Sequence, residues 1–146
     1  MCILTFHNVQ RYWSYNLKNS NYICVGRRKS SVARVSYKKG NGKIVVNNCE
    51  VLDYFKRKSL VMMLNQPFEL VNFNNKYDFS INVKGGGLTG QAGAVKLGIS
   101  RTLEKIDPSF RDVLKKTGML TRDARVVERK KPGQPGARKK FQFSKR

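Results

Sequence analysis

The sequence predicts an α/β fold of the α+β two-layer kind: one compact domain over residues 22–120 with a basic arm over residues 121–146. Three observations carry this. Tyr77, Phe79, Ile81 and Val83 alternate with Asp78, Ser80, Asn82 and Lys84, the period of a strand with one buried and one wet face. A glycine run then opens a segment whose Val95, Ile99, Leu103 and Ile106 recur at helical spacing. The charge is unevenly spread, with a neutral middle between basic flanks.

Taken in chain order, Tyr22–Tyr37 offers apolar positions at Ile23, Val25, Val32, Ala33 and Val35, and Ile44, Val45 and Val46 follow Gly40-Asn41-Gly42. Glycine and asparagine accept the positive φ of a tight turn, so the two segments are expected to close a hairpin across it. Asn47 or Asn48 is placed to cap a short helix through Phe55, and Ser59 a second through Leu64, stopped before Pro67. The alternating strand comes next, then a helix from about Gln91 to Ile106. Its opposite side carries Lys96, Arg101 and Lys105, and its Ala92, Gly93, Ala94 and Gly98 are small enough for close approach to a sheet. A last helical stretch, Ser109–Lys116, ends at Gly118.

The formal net charge is +21 over 146 residues. Self-repulsion on that scale opposes a compact monomer, whereas release of counterions from a polyanion turns the same charge into affinity. Nucleic acid is the first partner expected. From Gly26 to Lys43 there are seven basic residues and no acid; residues 121–146 carry ten basic residues and two acids. Arg27, Arg28 and Lys29 interrupt a strand-like segment close to Lys38, Lys39 and Lys43, a pattern that favours phosphate contact. In the arm, Pro132-Gly133-Gln134-Pro135-Gly136 excludes helix, and Arg138-Lys139-Lys140 restores the charge beyond it. Asp123 and Glu128 lie among Arg122, Arg125, Arg129, Lys130 and Lys131, where pairing within or across the arm is their expected role.

Other classes find little material. Gly85-x-Gly87-x-x-Gly90 after a strand and before a helix matches a dinucleotide fingerprint formally. The ribose-binding acid at the end of a second parallel strand is missing, since Glu104 and Asp107 fall in or just after the helix. Gln91-Ala92 stands where a Walker loop needs Lys-Ser/Thr. A plain tight turn and a close approach to an RNA backbone both remain open for this loop. His7 is the only histidine, and no nucleophile–base or metal-ligand arrangement assembles at workable spacing; neither a cofactor, a metal, a catalytic residue nor a small-molecule substrate is expected. Cys2, Cys24 and Cys49, odd in number and widely spaced, read as reduced apolar residues. No apolar run reaches the ~20 residues of a membrane span, so no membrane partner is expected. Residues 1–21 carry Arg11, Lys18 and no acid; the aromatics Tyr12, Trp13 and Tyr15 are expected to pack on the domain rather than stack on bases.

Four blocks in order, Gly26–Val35, Lys84–Val95, Leu120–Lys131 and Ala137–Arg146, resemble the signature blocks of ribosomal protein nine of the small subunit in its bacterial form. Residues 1–21 lie outside the resemblance. It implies a domain with a left-handed βαβ crossover, like the second domain of small-subunit ribosomal protein five, docked in the head of the small subunit beside neighbouring head proteins. It further implies an arm that threads small-subunit rRNA, with RNA contacts at Arg27, Arg28, Lys29, Gln91, Arg122, Arg125, Arg129, Lys130, Lys131, Arg138, Lys139 and Lys140. Ser144, Lys145 and Arg146 would reach the P-site tRNA. Lys140 and Phe141 are variations on the family pattern that leave individual base contacts open. The alternative is a free-standing nucleic-acid-binding regulator. Abundant Asn, Lys, Ile, Phe and Tyr suggest an A/T-biased gene, as in organelles, and Met1 favours synthesis inside one; a plastid ribosome is the expectation, with a mitochondrion or a bacterial cytoplasm as alternatives.

Overall fold

The computed structural model describes residues 23–73 and 76–144. The elements are β1 (Ile23–Arg28), β2 (Ser31–Lys39), β3 (Ile44–Val46), β4 (Cys49–Glu50), α1 (Val51–Phe55), α2 (Lys58–Leu70), β5 (Tyr77–Lys84), α3 (Leu88–Ile106) and α4 (Phe110–Lys116). One five-stranded sheet runs in the order β1-β2-β5-β3-β4. β3 and β5 are parallel, and α1 and α2 lie between them in the chain, so the unit is a parallel crossover in an otherwise antiparallel sheet.

Alternation decides which side of the sheet is covered. Ala33 and Val35 of β2 and Phe79, Ile81 and Val83 of β5 are buried, while Arg34 and Ser80 between them and Lys84 after them are exposed and Asn82 is partly so. On the covered side α3 lies across β1 and β2, with α2 packed on α3. The predicted helix face holds: Val95, Ile99 and Leu103 are fully buried and Ile106 packs against the core. The small residues act as expected. A Cβ on Gly26 of β1 would sit 1.9 Å from the Ala94 carbonyl oxygen and 2.5 Å from the Gly98 nitrogen. Backbone therefore touches backbone between strand and helix. Cys24 is buried and Cys49 exposed, both as free thiols; Cys2, His7 and the aromatics of residues 1–21 lie outside the described residues.

Several local expectations are corrected. The hairpin is β1–β2, closed by Lys29-Ser30; β2 and β3 are not paired, because β5 lies between them. Asp78 holds the intervening loop against the start of β5. Its Oδ1 accepts the N–H groups of Asn41 at 2.9 Å and Lys43 at 3.0 Å, and Gly40 N–H donates to the Lys76 carbonyl. The glycine-rich loop thus wraps the start of β5 instead of turning back on β2. Asn47 and Asn48 cap no helix: both have positive φ (46° and 67°) in the two-residue turn from Val46 to Cys49, which matches the twist of a hairpin. Glu50 precedes α1 without a side-chain cap. The next helix starts at Lys58 after Arg57, not at a Ser59 cap, and runs through Pro67 to Leu70. Leu60, Leu64 and Pro67 are all buried on one side of α2, and that burial outweighs the missing N–H, which falls only three residues before the helix ends. α3 begins three residues earlier than its pattern suggested, directly after Gly87.

The Asp78 contacts give a measurable consequence. The Lys43 N–H is the foremost cause holding this carboxyl below its ordinary value of 3.8, aided by Asn41 and Lys38. Asp78→Ala is expected to cost about 1 kcal/mol at neutral pH. A depressed folded-state pKa contributes stability that is complete above the unfolded value and lost as pH falls through the folded one. Urea titrations should therefore show the two proteins differing at pH 7 and converging as pH falls below the ordinary carboxylate range; a difference independent of pH would exclude the carboxylate as its source.

Candidate nucleic-acid interface

Of the predicted basic patch, Arg27, Arg28 and Lys29 sit where β1 turns into β2, whereas Lys38 and Lys39 lie at the far end of β2 beside Asp78 and Tyr77 and Lys43 lies beyond them, so the two groups do not form one patch. Arg27 is exposed, and Lys29 occupies the turn with φ of 49°, a left-handed conformation that side-chain-bearing residues adopt at some cost. Arg28 turns inward. A Cβ on Gly93 of α3 would meet the Arg28 Cδ at 2.2 Å, so the arginine stem lies over the helix at a residue with no side chain to obstruct it. Its guanidinium then reaches the Asp123 carboxylate at 3.0 Å. One residue joins the hairpin turn, α3 and the start of the arm.

Asp123 also accepts hydrogen bonds from the backbone N–H, Nε and Nη2 of Arg125, at 3.0–3.1 Å. The Arg125 side chain and N–H, followed by the charges of Arg125 and Arg28, hold this carboxyl far below the usual range. The arm acids pair as expected, since Glu128 takes a bidentate contact from Arg138 at 2.9 and 2.6 Å. Residues 122–144 form no helix or strand, yet the arm is not straight: the Glu128–Arg138 pair closes a loop around the Pro-Gly segment. An open concavity of about 840 Å³ lies there, lined by Glu128, Arg129, Lys130, Lys131, Pro132 and Arg138. Arg122, Lys139, Lys140 and Ser144 are exposed; Lys145 and Arg146 lie outside the described residues.

Gln91 is placed differently from the cations. Its Oε1 accepts from the Tyr54 hydroxyl at 2.9 Å and its Nε2 donates to the Gly85 carbonyl at 3.2 Å. Tyr54 in turn accepts from Asn47 Nδ2, and Asn47 pairs with both the N–H and the carbonyl of Val83. The amide of Gln91 is thus committed to a network that ties α1, β5 and the glycine loop together. Sequence reasoning missed this network and the Arg28–Asp123 contact, because both join residues more than 35 positions apart. It also left Lys84 and Ser31 out of the candidate residues, although Lys84 leads straight into the glycine loop and Ser31 lies beneath it. Within the protein, Gly85 and Gly86 have positive φ (76° and 64°), and Cβ atoms there would meet the Ser30 carbonyl at 2.6 Å and Ser31 Oγ at 2.2 Å. The turn itself requires these two glycines. Among the described residues, no group of three or more His, Cys, Asp or Glu side chains is placed to hold a metal ion.

Fold and charge together define the class: a small basic α/β domain continued by an irregular, strongly basic segment. Residues 26–146 match the model of the family described as ribosomal protein S9/S16, and the chain belongs to that family. It is 54% identical over 129 residues to the small ribosomal subunit protein uS9 of Maridesulfovibrio salexigens, spanning 88% of this chain and 98% of that protein. The uS9 protein of Anaeromyxobacter sp. (strain K) is 55% identical over 122 residues, spanning 84% and 94%.

Proposed function

We propose that this chain is a structural constituent of the small ribosomal subunit and acts by binding and positioning RNA. Support comes foremost from the similarity at 54% identity to a protein of that name along nearly its whole length. In this reading the rim residues Arg27, Arg28 and Lys29 and the arm cations meet small-subunit rRNA phosphates, with other head proteins alongside. The domain keeps the left-handed crossover of its family. Residues 121–146 serve as an arm, and Ser144, Lys145 and Arg146 hold the P-site tRNA. Composition supports an organellar ribosome, a plastid's before a mitochondrion's, although the relatives named above are bacterial; sequencing the rRNA that copurifies decides the point.

The mechanism is electrostatic and structural. Each exposed cation gains little in water, but each phosphate it neutralises releases counterions, and the arm orders as RNA closes around it. Lys145→Ala with Arg146→Ala is expected to leave the unfolding midpoint unchanged and to weaken P-site tRNA binding about five- to tenfold in reconstituted subunits. Unchanged tRNA affinity would refute the assignment of the tip. Sedimentation of the tagged chain with small subunits through moderate salt tests the reading as a whole; a free soluble pool with a defined target sequence would mark a regulator instead.

A further inference from the structure

We propose that the Gly85–Gly87 loop and the first turn of α3 bind one phosphate of an RNA backbone, an inference that rests on the ribosomal reading above. α3 is 19 residues long, and no side chain caps it. Its ladder begins with Gln91 N–H to the Gly87 carbonyl, so the N–H groups of Leu88, Thr89 and Gly90 precede it. Those groups and the positive end of the helix attract an anion. A second observation points the same way. Ser31 is fully buried, and its Oγ has no hydrogen-bond partner. The Oγ lies 2.2 Å from the position of a Gly86 Cβ and 2.8 Å from that of Gly90, so it is directed at the underside of this loop and turn. A buried hydroxyl without a partner is costly, and the acceptor it lacks is what a phosphate oxygen entering between Gly86 and Gly90 supplies.

The surroundings suit the same ligand. Residues 84–89 are exposed, and a Cβ on Gly87 would meet nothing within 4 Å, so the approach is open. Lys84 leads into the loop, and the turn carrying Lys29 lies against Gly85 through the Ser30 carbonyl. The acid near this rim, Asp123, is engaged by Arg28 and Arg125. Backbone amides and lysines read a phosphate and no base, which fits positioning on an rRNA strand.

Gly87 allows a test in which stability and binding move in opposite directions. Its φ and ψ, −101° and 167°, suit any residue, and its Cβ direction is open. Gly87→Asp provides an N-cap and should raise the unfolding midpoint by about 1–4 °C. The same carboxylate occupies and repels the anion site, so affinity of the full chain for small-subunit rRNA should fall roughly tenfold. Val113→Asp, on α4 beyond the far end of a helix about 28 Å long, adds equal charge elsewhere and should cost roughly twofold. Ser31→Ala adds no charge; the midpoint should hold or rise and rRNA affinity should fall roughly threefold. Equal losses for Gly87→Asp and Val113→Asp, or undiminished binding by Ser31→Ala, would overturn the site. Amide resonances of residues 86–90 should shift with inorganic phosphate and be released from it by rRNA; saturation by phosphate that rRNA cannot displace would make this a site for the free ion and overturn the RNA assignment. Failure of the unsubstituted chain to bind rRNA with steep salt dependence is a separate result, and it would count against the ribosomal reading itself.

Discussion

Deleting residues 121–146 is expected to leave a folded domain that no longer enters the small subunit. The buried core ends at Leu114, with Met119 and Leu120 the last side chains packed against it, so the truncated protein keeps every core contact among the described residues. Its unfolding midpoint should change little. Binding is another matter. The segment removes ten cations against two carboxylates, a net of eight, and Asp123 and Glu128 are paired with arginines in the free protein. At about 0.7–0.9 per neutralised phosphate, the slope of log affinity against log salt should fall by roughly 6, with affinity near 0.1 M salt lower by two or more orders of magnitude. Filter binding to small-subunit rRNA across a salt series measures both, and occupancy in purified subunits measures incorporation. Normal occupancy of the truncated chain would remove the arm from its anchoring role.

The second large effect lies inside the domain. Gly26→Ala adds a single methyl group, which falls 1.9 Å from the Ala94 carbonyl oxygen and 2.5 Å from the Gly98 nitrogen. Both are backbone atoms of a helix anchored by the fully buried Val95, Ile99 and Leu103, so neither a rotamer change nor a flexible tip relieves the clash. The helix must shift off the sheet, carrying Val95, Ile99 and Leu103 with it. The expected cost is about 3 kcal/mol, a fall of more than about 10 °C in the unfolding midpoint of a domain this size. Gly87→Ala is the matched control, because its Cβ meets open space. Calorimetry on the two variants should find one strongly destabilised and the other near wild type; similar midpoints would mean that β1 and α3 are not in close contact.

What could be read from the sequence was whatever repeats at short range. The period of Tyr77–Lys84 and the spacing of Val95, Ile99 and Leu103 each report a face that is dry for its whole length, and both elements lie as their patterns indicated. The small residues of α3 announced a close approach, and Gly26 shows where it occurs. Strand order was not legible, because the pairings of β5 with β2 and with β3 that set it, and the Asp78 contacts that hold the residue 40–43 loop, all join residues 35 or more positions apart. Helix capping misled for a similar reason. Asn47 suits a cap and a left-handed turn equally, and its bonds to Val83 select the turn only once β5 is in place. At the interface, composition identified the cations but not their attitudes. Arg28 and Gln91 are half-buried and held by protein groups, whereas Arg27, Lys29 and most of the arm face outward.

The strand order also sets a timetable for synthesis. The hairpin of β1 and β2 joins neighbours and can close as soon as it leaves the exit tunnel. β3 has only the two-residue β4 to pair with until β5 arrives, and the first residue of β5 is Tyr77, translated 31 residues after Val46. Insertion of β5 then completes ladders on both its edges in one event, so a nascent chain paused before Tyr77 holds a sheet in two unjoined halves. Closure of this protein is governed by its centre rather than by either end.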